Sequence, residues 1–119
     1  MAISGTSQNT VRLEIKYLPA YHIADDNIYA AGSFNGWNPQ SDIHKFKKDV
    51  KGNYYLELKI NNGAYQYKIT RGGWGKVECS KDGEDIENRA LKIEGDATIE
   101  LTIAGWQDKF PSKKATSSA

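Results

Sequence analysis

Thr10–Tyr17 reads TVRLEIKY, and this stretch decides the fold. Val11, Leu13, Ile15 and Tyr17 alternate strictly with Thr10, Arg12, Glu14 and Lys16. A period of two sends successive side chains to opposite faces, so the segment predicts a strand with one face in a core and one in water. The same period recurs along the chain. NYYLELKI places Tyr54, Leu56, Leu58 and Ile60 on one face, and AYQYKIT does so with Tyr65, Tyr67 and Ile69. TIELTIAG adds Ile99, Leu101 and Ile103, while RALKI offers Leu91 and Ile93, and NIYAAGS is a short, more uniformly apolar strand. Turn signals separate these runs at Lys51-Gly52-Asn53, Asn62-Gly63, Lys81-Asp82-Gly83 and Glu94-Gly95-Asp96. No segment sustains a helical period through two turns. The expectation is an all-β, antiparallel β-sandwich of about 6–8 short strands.

Length and charge narrow the function classes. At 119 residues the chain can bury one modest core. The ordered sandwich is expected over residues 8–106, with 107–119 as a small, polar, linker-like C-terminal tail. Sixteen basic residues against fifteen acidic ones leave a formal charge of +1, which supplies no basic field for nucleic acid or an anionic membrane. No apolar run is long enough to span a bilayer, and MAISGTSQNT lacks the apolar core of a signal peptide. The single cysteine, Cys79, excludes an internal disulfide and an ordinary cysteine metal site.

Catalytic chemistry finds little to work with. His22 and His44 lie in different segments, neither beside a nucleophile motif. Gly32-Ser33-Phe34-Asn35 lacks the second glycine of a nucleophile elbow, and RGGWG lacks the length and lysine of a phosphate loop. In KDGEDIEN, Asp82, Glu84 and Asp85 could offer oxygens to calcium, but their spacing misses the twelve-residue calcium loop. One local acidic cluster also fails to place two carboxylates across a cleft for glycoside hydrolysis. The expectation is a protein that is not an enzyme and uses no metal or cofactor.

The aromatic residues carry the stronger signal. GSFNGWNPQ, Gly32 to Gln40, has the composition of a turn and yet holds Trp37, while Trp74 follows the glycine pair of RGG. The alternation that sends Tyr65, Tyr67 and Ile69 inward sends Gln66, Lys68 and Thr70 outward. Trp37, Trp74, Lys68 and Asn88 could therefore form a flat amphipathic surface. Indole faces suit the C–H face of a glucopyranose ring, lysine donates to hydroxyl oxygens, and an asparagine amide both donates and accepts. Base stacking would use similar platforms but adds a basic groove. Core packing competes for every tryptophan, since most are largely buried, and Trp106, after the last strand, fits that role.

IYAAGSFNGWNPQ, then GAYQYKITRGGW, then ENRALKI resembles the glycogen- and starch-binding modules of carbohydrate-binding module family 48. That family includes the glycogen-binding domain of the AMP-activated protein kinase β subunit. YQYKI and ENR also resemble the related starch-binding family 20. The resemblance runs from about Ile28 to Ile93. It implies an immunoglobulin-like sandwich that binds α-1,4-glucan: glycogen, starch or maltooligosaccharide. It further implies Trp37 and Trp74 as stacking platforms, with Lys68 and Asn88 hydrogen-bonding the sugar. One departure stands out. ITRGGW is a residue shorter than, and basic where, the family usually has an aspartate-glycine turn, which makes Arg71 a further sugar or partner contact. TRGGWGKVE with its acidic loop resembles the version fused ahead of bacterial esterase-type hydrolases. This implies a rival role, positioning a fused or associated hydrolase domain without sugar affinity, in a secreted bacterial multidomain protein.

Overall fold

The computed structural model describes residues 8–110. The linker-like reading of residues 111–119 lies outside the described residues. The described chain forms nine strands: β1 (Asn9–Tyr17), β2 (Tyr29–Gly32), β3 (Lys47–Lys48), β4 (Tyr54–Ile60), β5 (Gly63–Thr70), β6 (Glu78–Cys79), β7 (Arg89–Ile93), β8 (Ala97–Thr102) and β9 (Gly105–Trp106). They make a four-stranded sheet in the order β3-β4-β1-β8, a three-stranded sheet β2-β5-β7, and a two-stranded β6-β9 pair. The larger sheets pack as an all-β sandwich. Three short 3₁₀ turns, Asp42–His44, Trp74–Lys76 and Gln107–Lys109, complete the described secondary structure.

Alternation builds the core as TVRLEIKY and its counterparts predict. Val11, Leu13 and Ile15 from β1, Leu56, Leu58 and Ile60 from β4, Tyr67 and Ile69 from β5, and Leu91 and Ile93 from β7 are all buried in one cluster. Fully burying each large aliphatic side chain contributes about 1.5–3 kcal/mol, so this shared stripe is what holds the sheets face to face. Trp106 sits in the same cluster with no exposed surface, as a core tryptophan. Phe34, partly buried, packs against the cluster from beneath the Gly32–Gln40 turn.

Two features depart from the sequence expectation. The β1–β8 pair is parallel, with Leu13 opposite Ile99, whereas every other strand pair is antiparallel. Tyr17, expected on the core face, is 71% exposed. The register between β1 and β8 slips between Ile15 and Tyr17, and such an irregularity inverts which face the next side chain takes.

Packing continues past residue 106. Gln107 N donates to the Val77 carbonyl at 2.9 Å, and its side-chain amide donates to the Gly83 carbonyl at 2.9 Å. Phe110 lies against Gly83, where a Cβ would come within 2.4 Å of the ring. Cys79 is buried, and burial first, then the nearby acids Asp85, Glu78 and Asp108, push its thiol up to about 11. It is an inert packing residue rather than a nucleophile.

Candidate functional site

The site grows from the outward face of the β2-β5-β7 sheet. Ala30 and Ile69 are paired across β2 and β5 and point into the core, so their neighbours Ala31 and Lys68, also paired, point out. Gln66 shares the outward face with Lys68, two residues along β5. Yet Ala31 has no exposed surface, and Tyr29 and Thr70, another outward pair, are buried as well. Two turns cover this end of the sheet. The Thr70 hydroxyl donates to the Pro39 carbonyl at 2.7 Å, and a Cβ at Gly72 would lie 3.5 Å from the Tyr29 ring and 3.7 Å from the Gln40 amide.

Those two turns carry Trp37 and Trp74. Their ring centroids are 6.3 Å apart and their planes meet at 43°. Trp74 opens the Trp74–Lys76 turn and is 43% exposed, while Trp37 is half-buried. Residues 37 apart in sequence thus form one angled aromatic surface.

The first turn is built to hold Trp37 in an unusual conformation. Gly36 and Trp37 have φ of 67° and 62°, and Trp37 is the one non-glycine residue with positive φ among the described residues. A left-handed conformation at a bulky residue costs on the order of 1–3 kcal/mol and persists only where its surroundings impose it. Here the Gly32 carbonyl accepts from Asn35 N at 3.0 Å and from Trp37 N at 2.9 Å. Asn35 stitches the rest: its Oδ1 accepts from Gly32 N at 3.0 Å and Asn38 N at 3.2 Å, and its Nδ2 donates to the Ala30 carbonyl at 3.0 Å. Gly32 is required for closeness rather than flexibility, because a Cβ there would meet the Gln66 carbonyl at 2.5 Å and Tyr67 Cβ at 2.7 Å.

Beside the tryptophans lies a polar edge. Lys68 is half-buried, and its ammonium has no ion-pair partner among the described residues. Asn88, exposed just before β7, donates from Nδ2 to Gln66 Oε1 at 3.1 Å. The pairing of Tyr67 with Arg89 continues by one step to bring Lys68 level with Asn88. Trp37 and Trp74 are neighbours, and Lys68 and Asn88 share the outward face of the β2-β5-β7 sheet.

Arg71 does not join them. Its side chain is 6% exposed, forms an ion pair with Asp26 at 2.8 Å and a second with Asp108, and stacks 5.2 Å from the Trp106 ring centre. It pins the base of the Trp74 turn from below, its own backbone N–H donating to the Lys76 carbonyl at 3.2 Å. Asn35 and Gln66 are the residues that sequence reasoning passed over. Asn35 and Asn38, flanking Gly36-Trp37, signal a side-chain-stitched turn, and Gln66 shares the outward parity of Lys68.

The remaining candidates play structural parts. His22 Nδ1 accepts from the Trp106 indole N–H at 3.1 Å, and His44 Nδ1 lies 2.9 Å from Ser41 Oγ. Among the described residues no three metal-binding side chains gather into a group that could hold an ion, and Asp82, Glu84 and Asp85 of the acidic run are exposed. A cleft of about 420 Å³ lined by Phe34, Ile43, His44, Leu58, Ile60 and Tyr65, with four further residues, contains none of the proposed site residues. Among the described residues, no helix is long and apolar enough to cross a membrane.

No family model matches the chain. It is 37% identical over 94 residues to an α-amylase from Niallia circulans, a match covering 77% of this chain and 7% of that protein. It is 29% identical over 119 residues to an amylopullulanase from Thermoanaerobacter thermohydrosulfuricus, covering 87% of this chain and 8% of that protein. An amylopullulanase from Thermoanaerobacterium thermosulfurigenes matches at 26% over 124 residues, 91% of this chain and 7% of its own length. The chain thus corresponds to less than a tenth of each of these relatives. Among solved structures, a DUF3823 family protein from Parabacteroides merdae aligns over 84% of this chain and 47% of its own, with a TM-score of 0.43 and 10% identity.

Proposed function

We propose that this chain is a non-catalytic carbohydrate-binding module for α-1,4-glucan: starch, glycogen or maltooligosaccharide. The observation that carries the reading is the Trp37–Trp74 pair, presented by two separate turns with the planes 43° apart. Consecutive glucose rings in an α-1,4 chain turn relative to one another as the chain curves, and two angled indoles suit that curvature better than a flat ribbon of β-1,4-linked sugar. Apolar ring faces would stack on the indoles. Lys68 would donate to a hydroxyl oxygen, and Asn88 would fix the register.

The relatives support the substrate class. Their names, α-amylase and amylopullulanase, are those of hydrolases of α-glucans, and the chain matches only a small part of each. An accessory module would hold polymer near the hydrolase to which it is joined, and a fused or associated hydrolase is the partner this implies. The affinity expected of a shallow, wet site lies on the order of micromolar to millimolar.

Titration with maltoheptaose, followed by isothermal calorimetry, tests the reading. The wild type should respond at millimolar sugar or below, and the Trp37→Ala/Trp74→Ala double variant should not. Silence from the wild type would leave the rival role of positioning a hydrolase without sugar affinity, and a response that survives in the double variant would mean that sugar binds elsewhere than on the tryptophan pair.

A further inference from the structure

We infer that Gln66 is a third polar binding residue, acting together with Asn88 as a paired-amide clamp for a vicinal diol of the sugar. The inference rests on the α-glucan reading. Its physical basis is the distribution of donors and acceptors on the outward face of β5. Each primary amide has two N–H donors and a carbonyl oxygen with two lone pairs. The single bond between the two side chains, Asn88 Nδ2 to Gln66 Oε1 at 3.1 Å, uses one donor and one acceptor. It leaves Gln66 Nε2 with both donors and Asn88 Oδ1 with its acceptor sites unused by any described residue, on two exposed side chains.

The bond also sets direction. Because Asn88 commits its nitrogen to Gln66, its oxygen is the atom left to face a ligand. The Gln66 backbone is rigid: its N–H donates to Ser33 Oγ at 3.2 Å, and its carbonyl accepts from Ser33 N at 2.9 Å. Ser33 belongs to the turn that presents Trp37, so the amide pair and the first platform share one support. The edge then reads, in chemical terms, as an ammonium donor at Lys68, an amide acceptor at Asn88 and an amide donor at Gln66. Adjacent hydroxyls on a pyranose ring match an acceptor beside a donor, since one hydroxyl gives its proton to Asn88 Oδ1 while its neighbour's oxygen accepts from Gln66 Nε2. A sugar lacking one of those hydroxyls would leave a member of the pair without a partner. Gln66 therefore contributes in two ways, as a contact and as the residue that orients Asn88.

The test compares maltoheptaose affinity in wild type, Gln66→Leu, Asn88→Ala and the double variant, with thermal midpoints measured alongside. Gln66→Leu should weaken binding roughly 3- to 10-fold, the span of one to two net hydrogen bonds. Its thermal midpoint should stay near wild type, because the side chain is exposed. In the Asn88→Ala background the same substitution should cost clearly less, since the partner it orients is gone. Wild-type affinity in Gln66→Leu overturns the inference. An equal fold-loss with and without Asn88 overturns the clamp. A wild type that does not respond to maltoheptaose overturns the glucan reading itself, an outcome distinguishable from the other two.

Discussion

Trp37 shows how much of a binding surface is decided by the backbone of one residue. Its left-handed φ of 62° turns the indole toward Trp74, and that φ is held by bonds that Asn35 makes around it. Asn35→Ala removes the side-chain acceptor for Gly32 N and Asn38 N together with the donor to the Ala30 carbonyl. The expected result is a loss of about 1–2 kcal/mol in stability, typical of an N–H-satisfying turn or cap residue. A drop in sugar affinity should accompany it, because Trp37 is then free to leave its strained conformation. Chemical denaturation and a maltoheptaose titration on the same variant check both halves. If stability falls while affinity is unchanged, Asn35 holds the turn without positioning Trp37. This conformation was not legible in the sequence: GSFNGWNPQ announces a turn, but nothing in it assigns positive φ to the tryptophan rather than to a glycine. The role of Gly32 is hidden for the same reason, since in a sequence a strand glycine needed for closeness looks the same as one needed for freedom. Lys68 was legible, because parity along a strand is a local property.

Among the elements, local alternation was enough to place β1, β4, β5 and β7 and their core faces. What it could not reach were contacts made between distant segments. Arg71 read as an exposed turn residue because its carboxylate partners, Asp26 and Asp108, lie 45 and 37 residues away. The parallel β1–β8 pairing is equally non-local. Glu78 is a further case, a residue of a two-residue strand that carries a charge yet is 1% exposed. Its carboxylate accepts from Arg89 Nε at 2.9 Å, Arg89 Nη2 at 2.7 Å and the Ile69 backbone N–H at 2.9 Å. It thereby ties β5, β6 and β7 together at the end of the sheet that bears Lys68 and Asn88. Glu78→Ala would leave the Ile69 N–H without its acceptor and a partly buried guanidinium with only the Thr102 carbonyl, 2.8 Å from Arg89 Nη2. Breaking a buried pair from one side costs about 3–5 kcal/mol, and Arg89, one quarter exposed, recovers part of that from water. The urea midpoint should therefore fall by an amount equivalent to about 2–4 kcal/mol at unchanged slope. A fall under about 1 kcal/mol, the range of surface pairs, would show that the tie contributes no more than an exposed ion pair.

Across the whole molecule, a half-buried histidine that accepts a hydrogen bond from the core tryptophan makes stability pH-dependent. His22 Nδ1 accepts the Trp106 indole proton, so the ring's own proton sits on Nε2, 3.2 Å from the Tyr54 hydroxyl. That hydroxyl in turn lies 2.9 Å from the Ala24 and Asp26 carbonyls, and the chain of bonds joins the 22–26 segment to the core tryptophan and to β4. Burial pushes His22 below its ordinary value of 6.5, with Arg71 and Lys48 adding to the effect and Asp26 opposing it. His44, beside Phe34 and Ser41, is also lowered by burial. The sign follows from which state binds protons more readily. Below about pH 6.5 the unfolded chain protonates its histidines first, so it gains free energy that the folded chain does not. Stability should therefore be full above that range and decline as pH falls through it toward the lowered folded values. Glu14, held down by Arg12 and then Lys16, and Asp49, held down first by the Asn53 backbone N–H, add losses of the same sign further down, in the carboxylate range. The measurement is the thermal midpoint from pH 7.5 to 5. It should fall across that interval in wild type, and the fall should be shallower in His22→Gln, whose amide does not titrate, even if that variant starts from a lower midpoint. A midpoint flat from pH 7.5 to 5, or a slope equal in wild type and His22→Gln, would mean that His22 does not carry the dependence. The proposed sugar contacts Trp37, Trp74, Asn88 and Gln66 carry no titratable side chain. Affinity should then hold constant over the same interval for as long as the fold survives, which separates a loss of binding from a loss of the protein.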